Sequence, residues 1–144
     1  MSDRPSGVGE TYFQAMASTL IYGKKDAVLV DAYMTAKQAE GLANWVASKG
    51  RNLTPIYITH GHGDHWFGVG TLLERFPNAK AVTTAKTIEV MRLNASPQFL
   101  HGAWEPGFPG QIPENLMMAE ALDGNVIELE GGWALWSSAR AAKP

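Results

Sequence analysis

The sequence predicts an α/β fold, and three observations carry that prediction. Two apolar segments around a Gly/Lys turn end at Asp31, a capped amphipathic helix follows, and a short apolar strand comes after the helix. A strand, a helix and a strand in that order imply a right-handed crossover and a sheet containing parallel strands. At the carboxyl end of the second of those strands stands Thr59-His60-Gly61-His62-Gly63-Asp64-His65. That is where open α/β sheets place their sites.

The elements follow in order. Residues 1–9 are polar with Gly and Pro, and read as a loose arm before a domain over 10–130. Tyr12, Phe13, Leu20, Ile21 and Tyr22 suit one or two strands. Gly23-Lys24-Lys25-Asp26 is a turn signal before the apolar run Ala27-Val28-Leu29-Val30, so residues 18–30 predict a hairpin ending at Asp31. Residues 35–49 predict a helix. Thr35 and Gln38 have capping-box spacing, Ala39, Leu42, Ala43 and Val46 share a face, and Gly50 stops it. Residues 52–59 predict a short buried strand, 66–76 a helix stopped by Pro77-Asn78, 79–83 a strand and 85–93 a further helix. Residues 94–113 hold four prolines and read as an irregular loop, which in a compact domain is more often functional than accidental. Val126-Ile127-Glu128-Leu129-Glu130 alternates like a strand with one wet face. Residues 131–144 form a divergent tail with two tryptophans and no acid.

Composition narrows the function classes. The 144 residues suffice for one domain with a core, and 45% apolar against 18% charged residues is an ordinary globular balance. A net charge of −2 with no basic stripe argues against a nucleic-acid partner. No run of about 18 apolar residues predicts a membrane span, and the first residues lack an export core. The expected compartment is therefore the cytoplasm, though a leader removed on export would leave no trace. With no cysteine, any metal must be held by nitrogen and oxygen.

The seven-residue stretch holds three of the four histidines. His60 and His62, two apart, point the same way in an extended segment, and Gly61 and Gly63 let the backbone curl so that Asp64 and His65 turn back. Imidazole and carboxylate suit zinc, one ion or two, and also iron or manganese. Such a site lowers the pKa of a water and polarises a carbonyl, with Asp64 binding a second ion or orienting the attacking oxygen. A histidine-rich turn that only hydrogen-bonds in solvent is a poor account of this density. A phosphate-binding reading of Gly61-x-Gly63 fails because Trp66 stands where the third glycine belongs.

T-H-x-H-x-D-H after a short apolar strand, preceded by a hairpin ending in Asp and an amphipathic helix, resembles the metallo-β-lactamase superfamily over about residues 10–130. The resemblance implies the N-terminal, βαβ-containing half of an αββα sandwich, with a C-terminal tail unlike the family. His60 and His62 match ligands of a first metal, and Asp64 and His65 those of a second. Asp64 also matches the residue that orients the attacking hydroxide. Asp31 and Thr59 are expected to support these ligands from behind. Tyr33, Met34, Trp66, His101 and Trp104 fall where substrate-facing loops are expected.

The family pattern also needs a third histidine in a Gly-His-Ser/Thr turn, a bridging aspartate and a last histidine. Here the strand ending near Glu130 leads into Gly132-Trp133-Ala134-Leu135-Trp136-Ser137-Ser138-Ala139-Arg140. His101 is the one histidine left, and a Pro/Gly-rich setting suits a solvent or substrate-loop residue better than a ligand. Two functions follow. One is a zinc-dependent hydrolase of a small ester, lactone, thioester or β-lactam. The other is a truncated, catalytically incomplete half domain that binds metal weakly or serves a structural or oligomeric role. A half sandwich leaves a sheet face uncovered, so two readings of Trp133 and Trp136 stand side by side: a second copy pairs through them to cover it, or they pad a local core.

Overall fold

The computed structural model describes residues 15–130 and the backbone of 133–136. The arm over 1–9 and the tail beyond 136 lie outside the described residues, as do the side chains of Trp133 and Trp136. Strands β1 (Thr19–Tyr22) and β2 (Asp26–Val30) form the expected antiparallel hairpin. Helix α1 (Ala36–Ser48) then carries the chain to β3 (Asn52–Tyr57), which lies parallel to β2. Thr35 caps α1 with a full capping box: its hydroxyl accepts from Gln38 N–H, and the Gln38 side chain accepts from Thr35 N–H. Gly50, at φ 61°, takes the left-handed turn that releases the chain.

Strand β4 (Lys80–Thr83) adds parallel to β3, and the two-residue β5 (Glu120–Ala121) adds parallel to β4, giving the sheet order β1-β2-β3-β4-β5. The predicted crossover is therefore present. One face of the sheet buries Leu29, Ile56 and Ala81 against Leu42 and Val46 of α1 and against Trp66, Phe67, Val69 and Leu72. Each large side chain buried there contributes roughly 1.5–3 kcal/mol. The other face presents Val28, with Ile21, Tyr57, Val82 and Leu122 half-buried around it. A second, two-stranded sheet meets that face: β6 (Val126–Leu129) and β7 (Trp133–Trp136), antiparallel, with Ile127 and Leu129 turned inward. Two layers of sheet with helices outside one of them is the expected half-sandwich architecture.

Glu130 pins the second sheet to the first. Its carboxylate accepts from the backbone N–H groups of Lys25 (2.6 Å) and Asp26 (3.0 Å) in the β1–β2 turn, 104 and 105 residues away. Those bonds hold its carboxyl below the usual value of 4.5. The associated stability is present above that value and is lost as pH falls through the lower folded one. Glu130→Ala is expected to speed exchange of the Lys25 and Asp26 amides while Ile58 N–H, bonded to Val82 within the sheet, stays protected. Equal exchange in both proteins would show that the clamp does not hold.

Two stretches depart from expectation. The single helix expected over 66–76 is two: α2 (Gly63–Trp66) begins inside the histidine stretch, and α3 (Val69–Arg75) follows. The break falls at Gly68, whose N–H donates to Tyr33 O and whose Cα sits so close to Ala32 O that a side chain would strike it. Residues 94–113, expected to be irregular, are largely helical. Helix α4 (Ala85–Asn94) is followed by α5 (Pro97–Phe99), a π-helical turn (Leu100–Trp104) and α6 (Glu105–Gly107). Pro97 and Pro106 occupy first-turn positions, where a missing N–H costs nothing and a fixed φ helps. Ser96 caps the first of these turns through Phe99 N–H.

Candidate metal centre

After Tyr57 the chain leaves the sheet, and the histidine stretch folds over the carboxyl ends of β2 and β3. Ile58 N–H still bonds Val82 O, and Thr83 Oγ1 donates to Ile58 O, so the start of the loop is fixed. Gly61 and Gly63 are not at positive φ. They are glycines because of close approach: a side chain on Gly61 would meet Val90 and Thr87 O of α4, and one on Gly63 would meet the Phe67 ring. The expected backbone freedom is replaced by tight seating. Trp66, fully buried, donates its indole N–H to Gly61 O at 2.9 Å and anchors the loop from beneath.

The loop brings three imidazoles together. The ring centroids of His60 and His62 are 4.1 Å apart, and those of His60 and His65 are 5.3 Å apart. His60 Nε2 and His62 Nδ1 face one another at 2.9 Å. His65 Nε2 lies 3.9 Å from Asp64 Oδ1, too far for a hydrogen bond. That Asp64 oxygen is shut away from solvent and has no partner among the described residues. A buried carboxylate oxygen left bare is costly, and an ion would satisfy it. A tetrahedral zinc with donors at about 2.1 Å sets them about 3.4 Å from each other, between the two spacings seen here. The His60–His62 and Asp64–His65 pairs lie on either side of that spacing, and in chemistry these donors suit an ion. Among the described residues, no group of three or more His, Asp or Glu side chains is arranged to hold an ion.

Behind the pairs, Asp31 ties strand to loop. It is buried at the end of β2 in the left-handed region, at φ 64°. Its Oδ1 accepts from Thr59 N–H (2.8 Å), and its Oδ2 accepts from Thr59 Oγ1 (2.7 Å) and His65 Nδ1 (2.9 Å). The proton of His65 is thereby held on Nδ1, and Nε2 is left as the donor atom facing Asp64. The hydrogen bond that His65 donates to Asp31 raises the His65 pKa above its usual 6.5 against the opposing effect of burial. His60 moves the other way: burial lowers its pKa, and the neighbouring His62 and His65 lower it further.

A sequence profile for the metallo-beta-lactamase superfamily matches residues 15–132. The chain belongs to this superfamily. A hydroxyacylglutathione hydrolase of Francisella tularensis subsp. novicida (strain U112) is 39% identical over 61 residues, which are 42% of this chain and 23% of that protein. In fold, the chain is similar to the BLEG-1 B3 metallo-beta-lactamase, with a TM-score of 0.59 and 21% identity, over 83% of this chain and 53% of that one. It is also similar to the FEZ-1 metallo-beta-lactamase of Legionella gormanii, with a TM-score of 0.57 and 18% identity, over 83% of this chain and 44% of that one. The chain thus spans about a quarter of the curated relative it matches and about half of the solved structures.

This superfamily member places the expected residues unevenly. His60, His62, Asp64, His65, Asp31 and Thr59 converge. Trp66 and Met34, expected to face substrate, are buried in the core, because the loop and the residues after Asp31 close over them. Tyr33 is half-buried at φ 60°. His101 is exposed on the π-helical turn, and its Nδ1 pairs with Glu105 at 2.6 Å. Trp104 packs edge-on against Phe67 at 5.4 Å and donates to Asn94. Asn94 is the residue the sequence reading missed. Its one signal was the spacing Thr87, Val90, Asn94, which puts a polar group on the helix stripe that faces the histidine loop.

In the metal-free protein, the order of histidine titration follows from these shifts. Stability from His65 is complete below 6.5 and is lost as pH rises through its higher folded value. Stability from a neutral His60 is present above 6.5 and is lost as pH falls through its lower one. Proton NMR is expected to show His65 titrating above 6.5 and His60 below it. The reverse order would contradict the Asp31–His65 pair.

Proposed function

We propose that the chain carries the ligand-bearing half of a metal-dependent hydrolase site, zinc being the favoured ion, for a small ester, lactone, thioester or β-lactam. The observation that carries this is the convergence of His60, His62 and His65 on a loop whose Asp64 Oδ1 is buried without a partner. His60 Nε2 with His62 Nδ1, and His65 Nε2 with Asp64 Oδ1, would hold the ion or ions. When bound, the metal supplies Lewis acidity, lowering the pKa of a water and polarising a carbonyl. The protein's own residues do the rest. Asp31 keeps the proton on His65 Nδ1, Thr59 keeps Asp31 in place, and Asp64 offers an oxygen to a proton of the attacking water.

Metal analysis after zinc loading, followed by a panel of activated esters, a thioester and a chromogenic β-lactam, tests the reading. Bound zinc with turnover is the expected result, and no bound zinc overturns it. Zinc without turnover would favour the second reading, a metal-binding half domain. That reading has an observation of its own: among the described residues no three such side chains are arranged to hold an ion. β6 already covers the face around Val28. A second copy pairing elsewhere, through Trp133 and Trp136, is a proposal of the same standing. Light scattering is expected to show mass rising with concentration, and a constant monomer mass would end it. Among the described residues no helix is long and apolar enough to cross a membrane.

A further inference from the structure

We infer that Asn94 is the positioning residue that sets the His62–His65 turn and links it to the 97–107 segment through Trp104. This rests on the metal reading above. Asn94 is 2% exposed at the last residue of α4. Its Oδ1 accepts from Gly63 N–H at 3.3 Å and from the Trp104 indole N–H at 3.1 Å, and its Nδ2 donates to Val90 O at 3.1 Å. Two donors on one side and a carbonyl on the other fix which way the amide points.

The position of Gly63 gives these bonds their meaning. It is the first residue of α2, and its N–H is among those that a helix start leaves without an intrahelical partner. A cap at the preceding residue, His62, would serve the amides of Asp64 or His65 and not that of Gly63, and the His62 side chain makes no capping bond. A histidine that capped its own helix would have its ring turned towards the backbone. Asn94 supplies an acceptor for the Gly63 N–H from another helix, His65 N–H is met by His62 O, and the His62 ring faces His60. The first turn of α2 is thus fixed from α4, and the His62 side chain takes no part in fixing it.

Trp104 holds the arrangement from the far side. Its ring packs on Phe67, Phe67 packs on Trp66, and Trp66 bonds Gly61 O. The two glycines of the histidine stretch are therefore gripped, one through Trp66 and one through Asn94. The helical segment carrying Trp104 thereby acts on ligand geometry without supplying a ligand.

The test uses Asn94→Leu, Asn94→Asp and Trp104→Phe in the full chain. Leu has similar bulk and no acceptor, Asp keeps the oxygen that faces both donors, and Phe keeps the ring and loses only the indole N–H. Zinc affinity by calorimetry is expected to fall about tenfold or more with Leu and to recover with Asp. With Phe it should fall by less than with Leu. In metal-free protein, Gly63 N–H is expected to exchange faster in the Leu and Phe variants, and the His62 ring signals to move, while Ile58 N–H is unchanged. A merely structural role predicts the opposite order, with affinity following thermal stability and the buried carboxylate of Asp the worst of the three. Wild-type zinc affinity in Asn94→Leu would overturn the inference and leave the metal reading intact. If wild type binds no zinc, the metal reading fails and the amide readout still decides: unchanged Gly63 exchange overturns the role of Asn94. If the Leu variant does not fold, Trp104→Phe decides, and wild-type affinity with unchanged Gly63 exchange overturns the inference.

Discussion

His62→Ala is expected to abolish zinc binding and leave the fold intact. The ring is exposed, makes no capping bond, and has His60 Nε2 as its described hydrogen-bonding partner. Exposed substitutions of that kind change stability by about 0.5 kcal/mol or less. The His60–His62 pair loses one of its two donors, however, and His60 with the His65–Asp64 pair is expected not to retain the ion. A second effect accompanies the loss. His62 is one of the groups that lower the His60 pKa, so His60 should titrate closer to its usual 6.5 in the variant. Calorimetric zinc titration and thermal melting check both halves. Undiminished zinc binding would mean that the ion is held elsewhere and that the histidine stretch is not its site.

Trp66→Ala is the substitution with the largest expected cost in stability. The side chain is fully buried, packs edge-on to Phe67 at 4.9 Å, and donates to Gly61 O. Removing an indole from a closed core costs about 3–5 kcal/mol. Trp66→Phe keeps most of the apolar volume and should cost less, with about 1 kcal/mol of it from the lost hydrogen bond. The Phe variant is the more informative, because it frees the Gly61 carbonyl while the core stays filled. Urea unfolding gives both numbers. A cost below about 1 kcal/mol for Trp66→Ala would contradict the burial and return Trp66 to the substrate-facing surface.

What could be read in the sequence was what is local or periodic. Thr35 and Gln38 announce a capping box three residues apart, and the box is there. Val28 to Val30 and Leu53 to Ile56 are apolar runs on either side of a helix, and they pair in parallel. The gathering of His60, His62 and His65 followed from their spacing. What could not be read depends on contacts between distant segments. Gly68 breaks a helix because Ala32 O lies against it, 36 positions earlier in the chain. Pro97 and Pro106 look like interruptions until their place in a first turn is known. Asn94 looks like an ordinary helix end, since its meaning comes from Gly63 and Trp104, 31 and 10 residues away. Trp66 was read as surface because it borders a site, and a border residue can face either way.

The backbone beside the site also constrains what evolution or an engineer can change. Asp31 and Tyr33 both sit in the left-handed region, at φ 64° and 60°, a conformation that costs a side-chain-bearing residue on the order of 1 kcal/mol. At Asp31 that cost cannot be recovered by glycine, because three hydrogen bonds to Thr59 and His65 would go with the carboxylate. At Tyr33 the side chain packs half-buried against the core, and its carbonyl bond to Gly68 belongs to the backbone. The same strain is thus fixed at one position and negotiable two residues later. A glycine or asparagine at position 33 would relieve the strain and give up the packing of the ring on the core, so the two terms oppose each other there and nowhere touch the metal loop's hydrogen bonds.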